Sequence, residues 1–152
     1  MRGYLFYYCT NLASIALRDG FSSIGNSAFW NCTHLSSISI PNTVTNIATR
    51  AFTLCTSLTN VVLPNSVTVL GAQLFESCTS LTSVTIPASV IGLGDFAFAY
   101  CTGLRAVHFQ GNAPGTGTGV FGTPGNMNNS TNYFLPGTLG WGPFFAGRPT
   151  AP

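Results

Sequence analysis

The stretch AFWNCTHLSSISIPNTVTNIA, residues 28 to 48, decides the fold, because almost every apolar letter in it returns 23 residues later. Phenylalanine stands at Phe6, Phe29, Phe52, Phe75 and Phe98, and cysteine keeps step at Cys9, Cys32, Cys55, Cys78 and Cys101. The same interval carries Leu12, Leu35, Leu58, Leu81 and Leu104, then Ile15, Ile38, Val61, Val84 and Val107. A unit of about 20–29 residues cannot bury its own apolar face, so such units stack into a solenoid whose core runs from coil to coil. Five units occupy residues 1–110, and residues 111–152 fall outside the period.

Within a unit, LSSISI at 35 to 40 and LTSVTI at 81 to 86 alternate apolar and small polar side chains, the pattern of a strand with one buried face. Pro41, Pro64 and Pro87 end these strands, because proline has no N–H for a ladder and fixes its own φ. TVTNIA and SVTVLG supply a second short extended stretch, and Gly25, Gly71 and Gly94 mark the corner after it, with Ala48 in that place in one unit. From the corner to the cysteine, as in NSAFWNC, Phe and Cys lie three apart, and the spacing predicts a short helical turn.

These residues resemble the leucine-rich repeats, and most of all the BspA-like class whose unit reads A-F-x-x-C-x-x-L-x-x-I-x-I-P-x-S-V-x-x-I-G. The resemblance covers about residues 4 to 110. It implies a right-handed leucine-rich-repeat solenoid with a parallel β-sheet on the concave face, and with short helical turns and extended segments elsewhere. The usual asparagine position holds Gly20, Thr43, Ser66 and Ser89, and only the fifth unit keeps Asn112. Hydroxyls are expected to stand in for the amide ladder there. The ending YFLPGTLGWGPFFAGRP is similar to the Gly-Trp endings of bacterial members. The tail is therefore read as an ordered cap, with NYFL adding one more strand and the Trp-Phe cluster covering the fifth coil.

Composition narrows the chemistry. Charged residues make up 5 % of the chain and there is no lysine, against roughly 25 % charged in ordinary domains. A net charge of +2 spread along the chain is not the clustered basic footprint that nucleic acid requires. No apolar run approaches the roughly 18–20 residues of a membrane span, and no signal peptide is recognisable; MRGYLFYYC begins inside a repeat, as a fragment of a longer protein would. Cysteines one coil apart stack roughly 5 Å from each other, and the expectation is a column of buried thiols acting as small hydrophobes. No CxxC or CxxH spacing supports a metal site, and no cofactor is expected. GTGTGVFG lacks the strand, helix and Lys of a phosphate loop.

The side chains between the inward Ile, Val and Leu of each strand form the candidate binding face. They include Ser14, Ser37, Ser39, Asn60 and Val62, then Ser83 and Thr85, with Arg105 and His108 closing the stripe at the fifth coil. By resemblance the chain is a non-enzymatic recognition or scaffold module that binds a protein partner, such as an extracellular-matrix or host-surface protein, on the concave face. It would belong to a larger cell-surface or secreted bacterial protein. A second reading is glycan binding on the Ser/Thr-rich face. A third is a hydrolase built from His108 and a nearby Ser83 or Thr85 hydroxyl; His34 and His108 lie three coils apart and cannot share one site, and the acids Asp19, Glu76 and Asp95 fall in different coils and form no carboxylate pair. The first coil has no cover, and end-to-end pairing of two copies through Leu5, Phe6, Tyr7 and Tyr8 is the corresponding expectation.

Overall fold

The structure, a computed structural model, describes residues 1–152. Its regular structure consists of short strands: β1 (Ser14–Ala16), β2 (Ser23–Ile24), β3 (Ser37–Ser39), β4 (Asn46–Ile47), β5 (Asn60–Val62), β6 (Val69–Leu70), β7 (Ser83–Ile86), β8 (Gly92–Leu93), β9 (Ala106–Phe109), β10 (Gly115–Thr116), β11 (Thr131–Phe134), β12 (Phe144–Phe145) and β13 (Arg148–Ala151). Two sheets run along the solenoid. The long one has the order β1-β3-β5-β7-β9-β11-β13-β12 and the short one β10-β8-β6-β4-β2. Neighbouring coils pair in parallel with the repeat in register, Ile15 opposite Ile38 and Ile38 opposite Val61. After β3, β5 and β7 the proline carbonyl accepts from the residue three on, as Pro41 does from the Val44 N–H at 3.0 Å, and the chain turns toward the short sheet.

The third side of each coil corrects the helical expectation, since the chain contains no helix. Between the corner and the cysteine, alternate amides behave differently. Ala28, Trp30 and Cys32 donate to the carbonyls three residues back, whereas Ser27, Phe29 and Asn31 donate to Thr49, Ala51 and Thr53 of the next coil at 2.8–3.0 Å. The three-residue bonds are what the Phe-to-Cys spacing registers; the amides between them point along the solenoid axis, so no helix can propagate. This ladder holds two residues per coil at positive φ, such as Ser27 and Asn31, Arg50 and Leu54, and Gln73 and Ser77. A side chain in that region costs about 1–2 kcal/mol, and the intercoil hydrogen bonds offset it.

One core of buried apolar side chains fills the solenoid from Leu17 to Phe145. At its centre the rings of Phe6, Phe29, Phe52, Phe75, Phe98 and Phe121 stack at centroid spacings of 5.1–5.9 Å. The column thus continues past residue 110, one repeat length beyond Phe98, and β10 continues the short sheet beside it. Beyond Phe121 the interval from Val107 to its register partner Asn132 is 25 residues, not 23. β11 nonetheless pairs in parallel with β9, and β13 with β11; β12 then closes the outer edge in the antiparallel sense. Trp141 lies flat on Phe134 at 5.2 Å and tilted on Phe109 at 4.8 Å, and Phe145 meets Phe109 edge-on at 5.4 Å.

Four of the five thiols, Cys32, Cys55, Cys78 and Cys101, have no exposed surface; Cys9 of the first coil is half-buried. Each buried thiol does more than fill space. Cys55 Sγ donates to the Phe29 carbonyl at 3.2 Å and Cys78 Sγ to that of Phe52 at 3.2 Å, with Cys32 and Cys101 repeating the contact at 3.0 Å. Cysteine suits the position because it is small, apolar and still a weak donor.

Candidate functional site

The long sheet fixes the expected site residues in two files. One runs through Ser14, Ser37 and Asn60 and, a coil further, Ser83; the other runs through Ala16, Ser39, Val62, Thr85, His108 and Tyr133, each in register with the next. Apart from Ser83, which is half-buried, the expected residues are exposed. Val62 is 67 % exposed, an apolar spot amid hydroxyls.

Arg105 does not reach across this face. Its Nη1 donates to the carbonyls of Thr102 and Leu104 at 2.8 and 3.2 Å, folding the side chain onto its own turn. The adjacent file is also engaged internally: Ser36 Oγ donates to Ala13 O at 3.1 Å and Thr59 Oγ1 to Ser36 O at 3.4 Å. The same device replaces the missing asparagines, for Ser89 Oγ donates to Val67 O at 2.8 Å and Ser66 Oγ to Val44 O. Much of the Ser and Thr content therefore joins coil to coil.

His108 and His34 stand in unrelated surroundings. His34 Nδ1 bonds the Thr10 carbonyl at 2.6 Å; because a carbonyl only accepts, this nitrogen carries the proton. The His108 ring lies against Tyr133 at 5.1 Å and 18°, at the rim of a hollow of about 390 Å³ that also takes in Thr85, Leu135, Pro136 and Pro152. Tyr133 escapes sequence reasoning because the 25-residue step moves it out of the repeat register. The four buried thiols, shielded from water, are pushed up, Cys32 to about 11 and Cys101 to about 12 by burial, and Cys55 and Cys78 well above their ordinary range. They stay protonated at neutral pH, so they offer neither a thiolate nucleophile nor a thiolate ligand. No three His, Cys, Asp or Glu side chains gather as a metal-ligand set, and no helix is long and apolar enough to cross a membrane.

A second hollow, of about 450 Å³, opens on the third ladder between Tyr4, Tyr7 and Trp30 at one end and Arg50, Gln73 and Glu76 toward the other. Sequence reasoning missed it, although the pairs Tyr7 and Trp30, and Arg50 and Gln73, are each one repeat apart.

No curated protein sequence matches the chain significantly. Among solved structures it is similar to the leucine-rich repeat protein TpLRR of T. pallidum, with a TM-score of 0.75 and 32% identity over 88% of this chain and 66% of that one. It shares the fold of the pneumococcal vaccine antigen PcpA, at a TM-score of 0.67 and 16% identity over 80% of this chain and 30% of that one. A leucine-rich cell surface protein of Faecalibacterium prausnitzii is similar at a TM-score of 0.50 and 23% identity, covering 72% of this chain and 42% of that one. The chain thus spans slightly under two thirds of TpLRR, 66%, and less than a third of PcpA, 30%. The model of the BspA type leucine rich repeat region matches residues 1–128 in 6 copies, a count that includes one copy more than the five units legible in the sequence. With the stacked column of phenylalanines and thiols, that match makes the chain a member of the BspA-type leucine-rich repeat family.

Proposed function

We propose that the chain is a non-enzymatic recognition module that holds a partner protein against the outward face of the long sheet, within a surface-displayed or secreted protein. The observation that carries this reading is the pair of files in parallel register, exposed from Ser14 to His108 apart from half-buried Ser83, and leading into the apolar hollow beside Tyr133. A flat row of small side chains admits an extended segment, and the hollow offers an anchor for one apolar side chain at its end. Two of the similar proteins are named as a vaccine antigen and a cell surface protein, which supports a surface location. Glycan binding on this face is the weaker reading, because Ser36 and Thr59 already donate to main-chain carbonyls and Arg105 is folded back.

An array of immobilised extracellular-matrix proteins and glycans tests the proposal. Binding to a matrix protein should fall at least about tenfold, or about 1.4 kcal/mol, in Val62→Arg and Thr85→Arg, and should persist in Asn46→Arg on the short sheet. A loss as large in Asn46→Arg, or no matrix protein bound at all, would overturn it. We further propose that two copies associate through the first coil, where Leu5 and Tyr8 are 54 and 55 % exposed and β1 is the edge strand of the long sheet. Light scattering should then give a concentration-dependent mass that Leu5→Asp abolishes; a monomer at all concentrations would exclude the pairing.

A further inference from the structure

We infer that the hollow on the third ladder is a carbohydrate site, taking a pyranose ring or a short oligosaccharide. The inference rests on its own observations and is independent of the long-sheet reading. The ladder repeats each side chain one coil on, so Tyr7, Trp30, Thr53 and Glu76 form one file and Tyr4, Ser27, Arg50 and Gln73 another. Where the two files carry Ser27 and Thr53, small residues leave a depression between larger neighbours.

Its first wall is aromatic and pre-organised. Tyr7 stacks on Trp30 at 4.9 Å and 12°, and Tyr4 braces Tyr7 edge-on at 5.6 Å. The opposing wall is a chain of planar polar groups. Arg50 Nε donates to Gln73 Oε1 at 2.8 Å, and Gln73 Nε2 donates to Glu76 Oε2 at 2.7 Å. These bonds fix the orientation of the amide and leave further guanidinium N–H groups, one amide N–H and the second carboxylate oxygen unused. A chain with eight charged residues has brought two of them, Arg50 and Glu76, into this one hollow.

That combination selects among ligand classes. A pyranose offers an apolar C–H face to an aromatic plate and, around its edge, hydroxyls that both donate and accept. Arginine supplies donors only, glutamate acceptors only and glutamine both, which matches neighbouring hydroxyls on one sugar. A phosphate or other anion would face Glu76 with a single cation to hold it. Strand addition by an extended peptide would need unpaired main-chain groups, but the ladder amides beneath the hollow already bond coil to coil. The volume of about 450 Å³ falls within the range of small-molecule sites.

The experiment is isothermal titration of the full chain with cellohexaose, chitohexaose, laminarihexaose, maltohexaose and mannohexaose. At least one should bind saturably. For that sugar, Trp30→Ala and Gln73→Ala should each weaken binding by about tenfold, Trp30→Phe should weaken it less, and Asn46→Arg on the short sheet should leave it unchanged. Thermal melts of each variant separate loss of the site from loss of the fold, and Trp30→Phe and Gln73→Ala keep the test open should Trp30→Ala unfold. No saturable binding by any of the five would overturn the assignment. So would affinity indifferent to both Trp30 and Gln73, or a protein ligand that needs Trp30 when no sugar does.

Discussion

Cys78 shows how one residue type serves the repeat. It has no exposed surface, and its Sγ donates to the Phe52 carbonyl, which also accepts the Cys55 amide at 3.2 Å. Burial raises the thiol, so the folded state favours the protonated form. The sign of the pH dependence follows. Below the ordinary thiol range, near pH 8.5, folded and unfolded chains both keep the proton and these groups contribute no pH dependence. Above it the unfolded chain releases protons that the folded chain retains, until about 11 at Cys32 and about 12 at Cys101, so stability falls as pH rises. Each buried thiol contributes a loss of up to about 1.4 kcal/mol per pH unit in that window. Urea unfolding in reducing buffer should therefore give midpoints that decline from pH 8.5 to 10, and a flat profile would contradict thiols protonated in the core. Labelling with a disulfide reagent at pH 8 gives a second check: half-buried Cys9 should react in the native state and the other four only as the chain opens.

At the level of the element, two glycines of one coil have opposite constraints. A Cβ on Gly94 would lie 2.6 Å from the Ala72 nitrogen and 2.8 Å from the Gly71 carbonyl carbon, whereas one on Gly92 would meet the Val69 methyls at 3.7 and 3.8 Å. Neither glycine has a positive φ, so the difference is one of space. Gly94→Ala must push two backbones apart and should cost about 1–3 kcal/mol. Gly92→Ala should be neutral, or stabilise by up to about 1 kcal/mol through the unfolded chain. Equal melting temperatures for the two variants would count against backbone contact as the reason for glycine at the corner. This corner was legible in the sequence, as were the strands, because alternation and proline report local geometry directly. The ladder after it was not. A three-residue spacing of Phe and Cys is common to a helical turn and to the turns found here, and Arg50, Gln73 and Phe96 carry no preference for the positive φ they adopt. Reading that segment as helical also hid the hollow, since only a ladder places Tyr7 over Trp30 and Arg50 over Gln73. The long-sheet files were legible residue by residue. What the sequence withheld there was Arg105 folding back and the arrival of Tyr133 beside His108.

The molecule as a whole is a stack with unlike ends, and its stability should be distributed accordingly. At the first coil Phe6 stacks only on Phe29, and Phe6, Cys9, Leu12 and Ile15 are half-buried; in the middle coils Phe52 and Phe75 are each stacked on both sides and have no exposed surface. At the other end Trp141 and Phe145 lie over Phe109, and β11, β13 and β12 extend the long sheet past the last full repeat. In a chain of units that touch only their neighbours, each unit is held by its own contacts and those of the next, so opening proceeds from the end with fewer. The Phe6 amide, which donates to Ala28 O, should exchange with solvent well before the Phe75 amide, which donates to Ala97 O, although both bonds are 2.8 Å long. The β9 and β11 amides should fall between them. Trp141→Ala then discriminates between a fraying stack and a single cooperative block. The substitution removes contacts to Phe109, Phe134 and Phe145 and should cost about 3 kcal/mol. In a fraying stack it accelerates exchange at β9, β11 and β13 and leaves the protection of Phe6 and Phe29 where it was. Should Trp141→Ala instead lower protection equally from Phe6 to Phe109, the repeats unfold as one unit and the ends have no independent stability.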